Sequence, residues 1–585
     1  MFYELCFFNR FGLQLVFTPN FRIDKKLPLL QCNTFTMFKN KTLRILFFIV
    51  LVAMAGSYFA GLTIDVTRDA GKYATVSKEI FQHGNYINIT INGEAYDQKP
   101  PLLFWLGAAG FSVGGVSNFW FKFPVLLLIF LGFYWGFRLG ESLYNKRVGY
   151  LTAVMLAFSF IYFMYSSDIH TDTPLQAFVT LALWQLAEFV QKRKTKNMIF
   201  GFVGIGLAML SKGPIGAAIP AFAVVGHILL KRDFKFLFDY RWYLGIVIAF
   251  VVASPAMIGL MNQFGWQGIW FFFWENNIGR ITGSYVHLGN DPFYYFHNLL
   301  YLFIPWSLLF FTTAFLEFKT LVKNRFRSNE YFTLTGIWIF FIILNSANFQ
   351  LPNYIFSIVP LIAVLTAKWV DISLGENPRL YKPFFTIQNV VVVLLWILIF
   401  ILAIYVFPFP KWYFWVLVLA AMAASWQVLF KTENRLAKVI LPTILAFTTF
   451  SILMNTHAFP YMFSFQAPPK AARYFNKVAA KDDVLYDYLY GQYELYFYSE
   501  PQATKIDSVS EVIEVANRKG SWIFTNPDGL AKIDSLNIKT DTIIEYRHLY
   551  LNRGGLFLNP KTRDKTLKPL YLLKLTDNTI PIKQP

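Results

Sequence analysis

The sequence predicts an α-helical polytopic membrane protein that ends in a small α/β domain. Three observations lead to this fold class: the composition, a series of long apolar runs, and a change of polarity near residue 465. Hydrophobic residues make up 56% of the 585 positions and charged residues only 15%, whereas soluble domains carry roughly 25% charged residues. The composition therefore excludes a soluble globular protein.

The apolar runs predict a membrane domain over residues 37–464. They give about thirteen candidate spans, several of them near the ~20 residues with which a helix crosses the hydrocarbon layer. The runs lie at residues 43–62, 119–137, 148–165, 174–191, 198–211, 214–230, 242–260, 297–317, 331–346, 354–369, 384–408, 413–430 and 439–456.

The net charge of +19 indicates the sides of the membrane rather than a nucleic-acid partner. Basic clusters such as "KRKTK" at 192, "KRDFK" at 231 and "KTLVKNRFR" at 319 fall in alternate connections between spans. Because cytoplasmic loops carry the excess of Lys and Arg, the amino terminus is predicted to be cytoplasmic. The other connections and the carboxyl-terminal domain are then outside.

Two outer connections, residues 63–118 and 261–296, are long enough to build a site. In the first, "AGKYATVSKEIFQHG" has helical periodicity and ends at Gly84, as a glycine-terminated helix does. We expect this helix to lie along the membrane surface. The following stretch, "PPLLFWLGAAGFSVGG", is marginal as a span and favours a re-entrant or interfacial helix.

The two ends of the chain differ from the membrane domain. Residues 465–585 alternate polar and apolar segments, which predicts an outer α/β domain with a stabilising or acceptor-docking role. Residues 1–36 hold both cysteines, Cys6 and Cys32, and are interpreted as a leader or an over-extended reading frame. Met37 begins a basic flank followed by a span, as a natural start would.

Ionisable residues beside a bilayer are costly and are functional candidates. The outer ones gather in a few segments, and each also has a simpler interpretation: a cation can reach toward head groups, Asp172 can cap a helix, and His170 lacks a clear third metal ligand. What favours a site is their joint presence on one side. The candidates are Asp65, Arg68, Asp69, Lys72, Tyr73, Asp97, Lys99, Asp168, His170, Asp172, Lys212, Arg280 and Tyr354.

Carboxylates beside cations suit the transfer of a group from a phosphate-linked donor. Lys, Arg and Tyr hold phosphate oxygens through charge-assisted hydrogen bonds. Phosphate leaves readily as an anion, so one carboxylate acting as base on an acceptor hydroxyl is sufficient. The membrane explains why the donor would be a lipid.

Six segments, in order and spacing, resemble the lipid A aminoarabinose transferase (ArnT-like) family, which belongs with the protein O-mannosyltransferases to the GT-C membrane glycosyltransferases. The resemblance implies an undecaprenyl-phosphate sugar donor, inversion at the anomeric carbon, and an active site on the periplasmic face of the bacterial inner membrane. It leaves lipid A, another glycan or a protein open as the acceptor. The segments are "RDAGKYATVSKEI", "YDQKPPLLFWL", "SSDIHTDTPL", "SKGPIG", "FYYFHNLLYLFIPWSLL" and "LPNYIFSIVPLIAVLTAK".

The resemblance assigns roles residue by residue. Asp69 matches the essential acid of the first loop, and Asp172 matches the acid of the second. The positions that face the donor phosphate match Lys72, Tyr73, Lys99, Arg280 and Tyr354. With Asp97, the two acids form the candidate catalytic set, and Asp168, His170 and Lys212 are candidates for support.

The sequence departs from the family pattern at three positions. Ala70 and Gln98 replace acids, and Lys72 replaces an arginine. Asp97 is interpreted as a stand-in for the acid missing at 98. The departures leave the sugar and any divalent metal ion open, and they keep two alternatives: a transporter or flippase of lipid-linked intermediates, and a catalytically inactive relative.

Overall fold

The computed structural model describes residues 37–285, 289–375, 377–408, 410–551 and 554–576. The predicted leader, residues 1–36, lies outside the described residues. The described chain is mainly helical and ends in a small mixed sheet, so the predicted fold class is confirmed.

The helices and strands are named here in chain order. The helices are α1 Lys41–Gly61, α2 Arg68–His83, α3 Leu102–Gly114, α4 Asn118–Leu143, α5 Lys146–Ala157, α6 Phe160–Ser167, α7 Asp172–Lys192, α8 Thr195–Lys212, α9 Ile215–Lys231, α10 Phe234–Leu237, α11 Tyr240–Trp270, α12 Gly279–Thr282, α13 Tyr294–Leu302, α14 Ser307–Lys323, α15 Phe332–Asn345, α16 Val359–Leu374, α17 Tyr381–Phe400, α18 Trp412–Lys431, α19 Arg435–Leu453, α20 Phe459–Phe463, α21 Ala467–Val478, α22 Glu494–Tyr498, α23 Val509–Ala516, α24 Pro527–Ser535, α25 Gly554–Phe557 and α26 Arg563–Thr566. The strands are β1 Thr90–Ile91, β2 Glu94–Ala95, β3 Val484–Tyr488, β4 Thr504–Ile506, β5 Ser521–Thr525, β6 Thr540–His548 and β7 Lys568–Leu575.

Seven helical stretches within the described residues are long and apolar enough to cross a bilayer, and the bent pair α5–α6 would make an eighth. Two further predicted spans correspond to shorter apolar helices, α9 and α15. The number thirteen stays a prediction. The seven stretches are Lys41–Gly61, Asn118–Leu143, Phe234–Thr282, Pro352–Leu374, Pro378–Val406, Trp412–Lys431 and Arg435–Phe463.

The two long outer connections contain more helix than loop. In the first, α2 ends at Gly84, whose φ of 71° is the left-handed conformation that glycine adopts without a steric penalty. The marginal stretch before residue 115 forms the short helix α3. In the second, the chain stays helical from α11 through residues 271–278 to α12, with a break at Gly265 (φ 61°, ψ −152°).

The carboxyl-terminal domain is a five-stranded sheet in the order β4-β3-β5-β7-β6. β4, β3 and β5 are parallel, whereas β7 is antiparallel to both of its neighbours. The two faces follow the period of two along a strand: Trp522 and Phe524 of β5 pack with Phe475 of α21, and Ile523 packs with Val512 of α23. Both faces of β5 are therefore buried, as expected for a central strand.

The helix α2 is attached to this domain by buried polar contacts. The Lys78 ammonium is 1% exposed and donates hydrogen bonds to the carbonyls of Tyr496, Phe497 and Ser499 at 3.2, 3.3 and 2.7 Å. These carbonyls lie at the end of the short helix α22, where the unpaired acceptors of a helix favour a cation. The contact joins residues about four hundred positions apart in the sequence.

The other end of α2 is held by the same segment. Thr67 precedes the helix without capping it through its side chain, and instead Glu494 accepts a hydrogen bond from the Arg68 amide at 2.5 Å. The Val66 amide donates to the Tyr498 hydroxyl at 2.7 Å. A Cβ on Gly71 would come within 3.0 Å of the Glu494 side chain, so glycine permits this approach.

Replacing Lys78 by Met should weaken the attachment of α2 to the carboxyl-terminal domain. The change keeps the length of the side chain but leaves three carbonyls without their donor, at a cost of roughly 2–4 kcal/mol. Thermal unfolding of the purified protein, with the exposed Lys477→Met as control, measures the loss. Equal midpoints for the two variants would contradict the contact.

Candidate active site

A cavity of about 280 Å³ lies between the outer loops and the helices α9 and α15. One end is cationic, with Lys99, Lys212 and Arg280 beside the hydroxyl of Tyr354, and no carboxylate lines it among the described residues. The rest of the wall is apolar: Ile215, Ala218, Phe222, Phe340, Ile343 and Leu344. The cavity therefore fits a ligand with an anionic head and an apolar tail.

The cations at the cavity have few protein partners. Arg280 donates one hydrogen bond, to the Tyr354 hydroxyl at 3.0 Å, and its Nε has no partner in the described chain. Within the same residues, neither Lys99 nor Arg280 is in an ion pair. Burial, together with the nearby charges of Lys212 and Arg280, lowers the pKa of Lys99 to about 7. A bound anion would compensate this concentrated charge.

The third cation is neutralised. Lys212 donates to both carboxylate oxygens of Asp172 at 2.6 Å, and Asn353 donates to the same carboxylate at 2.7 Å. Asp172 is 1% exposed, and the Lys212 ammonium lies 4.1 Å from the centre of the Tyr354 ring. Helix α8 ends at Lys212 because Gly213, with φ 80°, turns the chain. The pair fixes the position of Tyr354 at the cavity.

Asp69 lies in the first turn of α2 and is exposed, so its carboxylate is open to a reactant. Three residues later, Lys72 donates to the Gln98 side chain at 2.8 Å. Lys72 and Gln98, two of the three departures from the family pattern, thus contact each other. Burial lowers the pKa of Lys72, whereas the charges of Asp69 and Asp97 oppose this change. Both acids therefore lie beside the same ammonium group.

The remaining candidates, Tyr73, His170 and Asp168, do not line the cavity. Tyr73 is 4% exposed and packs edge-on against His170. His170 is within 3.2 Å of the Asp168 carboxylate. Burial opposes charge on Asp168, but the nearby His170, Lys122 and Arg68 together lower the pKa of the carboxyl. Among the described residues, no group of three or more His, Cys, Asp or Glu side chains is arranged to hold a metal ion.

The chain is similar over most of its length to a solved transferase. The crystal structure of ArnT from Cupriavidus metallidurans bound to undecaprenyl phosphate matches 90% of this chain and 97% of its own, with a TM-score of 0.71 and 16% identity. The apo form of the same protein matches with a TM-score of 0.68. The chain has the ArnT-type fold.

Sequence comparison agrees with the ArnT-type fold. The family model described as dolichyl-phosphate-mannose-protein mannosyltransferase matches residues 98–258. An uncharacterised protein of Aquifex aeolicus is 25% identical over 81% of this chain and 91% of its own length. An undecaprenyl phosphate-alpha-4-amino-4-deoxy-L-arabinose arabinosyl transferase of Proteus mirabilis is 24% identical over 52% of this chain. That match spans about half of the transferase, 54% of its length.

Within the ArnT-type fold, several residues of the site were not among the sequence candidates. Asn353 holds Asp172, and Tyr493 covers Lys72 from the carboxyl-terminal domain. Lys122 is buried in α4 and donates to the Ile64 carbonyl at 2.7 Å, at the start of the first outer loop. An ionisable residue inside an apolar span is a signal that could have identified Lys122. The sequence holds no comparable signal for the other two.

The affinity for an anionic lipid should depend on the charge of Lys99. In the ligand-free protein the pKa of Lys99 is about 7, and a bound phosphate raises this pKa. Lipid binding is therefore strongest below about pH 7. Above that pH the affinity falls, up to tenfold per pH unit, until the pH reaches the pKa of Lys99 in the complex. Undecaprenyl phosphate binding to the purified protein, measured from about pH 6 to 9, tests this. Because arginine stays charged, the pH dependence of the Lys99→Arg variant reports ionisation of the lipid alone. A ratio of wild-type to variant affinity that stays constant with pH would contradict the role given to the charge of Lys99.

Proposed function

We propose that the protein transfers a sugar from a polyprenyl phosphate, of the undecaprenyl type, to a cell-envelope acceptor: lipid A, another glycan or a protein. The observation that carries the proposal is the cavity with unpaired cations at one end and an apolar wall beyond them. A polyprenyl-phosphate sugar combines these two properties in one molecule. The solved ArnT relative bound to undecaprenyl phosphate supports the same ligand class.

Lys99, Arg280 and the Tyr354 hydroxyl hold the donor phosphate in this proposal. Their nitrogen and oxygen donors converge on one end of the cavity, and Asp172 with Lys212 keeps Tyr354 in place. Charge-assisted hydrogen bonds of this kind contribute about 1.5–3 kcal/mol each. The negative charge that grows on the leaving phosphate strengthens them during the reaction, which lowers the barrier.

The reaction is an inverting displacement with Asp69 as the base. An acceptor hydroxyl attacks the anomeric carbon from the side opposite the phosphate and forms the new C–O bond. The old C–O bond breaks, and the phosphate leaves with its electron pair. The proton of the acceptor passes to Asp69, whose carboxylate is exposed at the start of α2.

Asp97 and Asp172 are not equally suited to act as the general base. Burial raises the pKa of Asp97, and the side chain lies beside Lys72, so it is the second candidate base. Asp172 has both oxygens engaged by Lys212 and one also by Asn353. We therefore propose Asp172 as a positioning residue that orients Lys212 and Tyr354.

The proposed orientation puts the amino terminus in the cytoplasm and the site outside, since basic loops alternate along the chain. A reporter that is active only in the periplasm should work when fused after residue 470 and fail when inserted near residue 194. The opposite pattern would move every proposed site residue to the cytoplasmic side.

Asp69→Asn should abolish transfer and leave donor binding intact. The amide keeps the shape of the side chain but cannot accept the acceptor's proton, and loss of a general base typically costs about 10²–10⁴-fold in rate. Mass spectrometry of envelope lipids and glycans from cells with the wild-type chain, the Asp69→Asn variant or no chain reports transfer. The exposed Asp482→Asn serves as control.

The same comparison identifies the sugar and acceptor, because the product should appear only with the wild-type chain and the control. Undecaprenyl phosphate binding to the purified variants is measured in parallel. A product that persists with Asp69→Asn would exclude this residue as the base. A product absent from every strain, or unchanged without the chain, would overturn the proposed function.

A further inference from the structure

A second recess of about 490 Å³ lies outside the membrane domain, between the first outer loop and the carboxyl-terminal domain. We call it the outer groove. Its walls come from the end of α2, the β1–β2 hairpin, and the residues around β4. Its size is within the roughly 300–1,000 Å³ of small-molecule sites, enough for a few sugar rings.

The charge of the outer groove is opposite to that of the donor cavity. Four carboxylates line it, those of Glu79, Glu94, Asp507 and Glu511, with one lysine, Lys505. The donor cavity has three cations and, in the described chain, no carboxylate. An anionic ligand is therefore favoured in the cavity and disfavoured in the groove, a cationic ligand is favoured only in the groove, and a neutral ligand is not repelled there.

Two tyrosine rings, those of Tyr493 and Tyr96, lie beside the Lys72 ammonium, and one of them lines the outer groove. Tyr493 lines the groove, and the Lys72 ammonium lies 5.3 Å from the centre of its ring. The same ammonium lies 5.1 Å from the ring of Tyr96. Tyr96 is 6% exposed, and its hydroxyl has no hydrogen-bond partner within the described residues. Tyr493 thus links the groove to Lys72, which lies one helical turn from Asp69.

The lining suits a carbohydrate. Amide and carboxylate side chains pair with hydroxyl groups, and a tyrosine offers an apolar ring face together with a polar hydroxyl. Asn92 and Gln502 supply the amides, and they are already ordered by hydrogen bonds to each other and to Glu79. A rigid polar wall of this kind binds without a large ordering cost.

The sheet edge at the groove does not favour an added peptide strand. β4 has three residues, Thr504–Ile506, and Lys505 stands in the middle. Short edge strands with a lysine are a common protection against pairing with another chain. A peptide would also gain little from so few main-chain hydrogen bonds.

We propose that the outer groove holds the acceptor as an uncharged or amino-substituted saccharide, whose hydroxyl then reaches Asp69. This inference rests on the proposed function and narrows its acceptor to the carbohydrate class. It also predicts that a phosphorylated face of an acceptor stays out of the groove. Donor and acceptor are then sorted by charge on the two sides of Lys72.

The test measures binding to the full chain in lipid nanodiscs by saturation-transfer NMR. The probes are a glucosamine disaccharide, a neutral mannotriose, the phosphorylated glucosamine disaccharide, and a peptide containing Lys and Ser. We expect both unphosphorylated sugars to bind. The affinity for the phosphorylated disaccharide should be lower by about tenfold or more, which corresponds to a difference of about 1.4 kcal/mol in binding free energy. Glu94→Lys should lower the affinity for the glucosamine disaccharide by a similar factor. The control Glu545→Lys changes an exposed acid of the carboxyl-terminal domain and should leave that affinity unchanged.

Each other outcome overturns the inference. Equal or tighter binding of the phosphorylated sugar contradicts the charge argument. Equal behaviour of Glu94→Lys and Glu545→Lys removes the groove as the site. If only the peptide binds, and Glu94→Lys abolishes this binding, the groove belongs to a protein acceptor. If no sugar binds, the groove is not a carbohydrate site. Undecaprenyl phosphate binding to the same sample distinguishes the cases, because failure of that binding contradicts the proposed function itself.

Discussion

The attachment of α2 to the carboxyl-terminal domain is the constraint on which the site depends. Asp69 and Lys72 lie on this helix, which is not among the described stretches that are long and apolar enough to cross a bilayer. Glu494 caps its first turn and Lys78 anchors it further along, both through buried contacts with one segment of the domain. Because unpaired polar groups would be costly in both places, the helix has one favoured position, in which Lys72 contacts Gln98 at the cavity wall.

That position places two opposite electrostatic environments side by side. On one side, Lys99 and Arg280 face a cavity that continues into apolar walls. On the other, an acidic groove opens between the loop and the domain. Lys72 stands between them, with its hydrogen bond to Gln98 on the cavity side and the ring of Tyr493 on the groove side. In the proposed reaction, the opposite charges of the two sites direct the donor and the acceptor to different places.

Local signals in the sequence predicted the fold class and singled out four residues that line one cavity, Lys99, Lys212, Arg280 and Tyr354. They did not predict the long-range contacts. The end of α2 at Gly84 is correct because a helix end is decided by neighbouring residues. The helical path through Gly265, the amide of Asn353 on Asp172, and Glu494 at the start of α2 were not foreseen. The last contact joins residues 426 positions apart, and no periodicity or spacing in one sequence indicates such a pair.

The proposed donor site is tested most directly by locating undecaprenyl phosphate on the protein by cryo-electron microscopy. We expect density for the phosphate within hydrogen-bond distance, about 2.7–3.2 Å, of Lys99, Arg280 and the Tyr354 hydroxyl, with the tail along the apolar wall. A second polar cavity, of about 510 Å³, lies beside Glu317 and Lys368. A phosphate bound there, or at any place away from Lys99 and Arg280, would contradict the central claim.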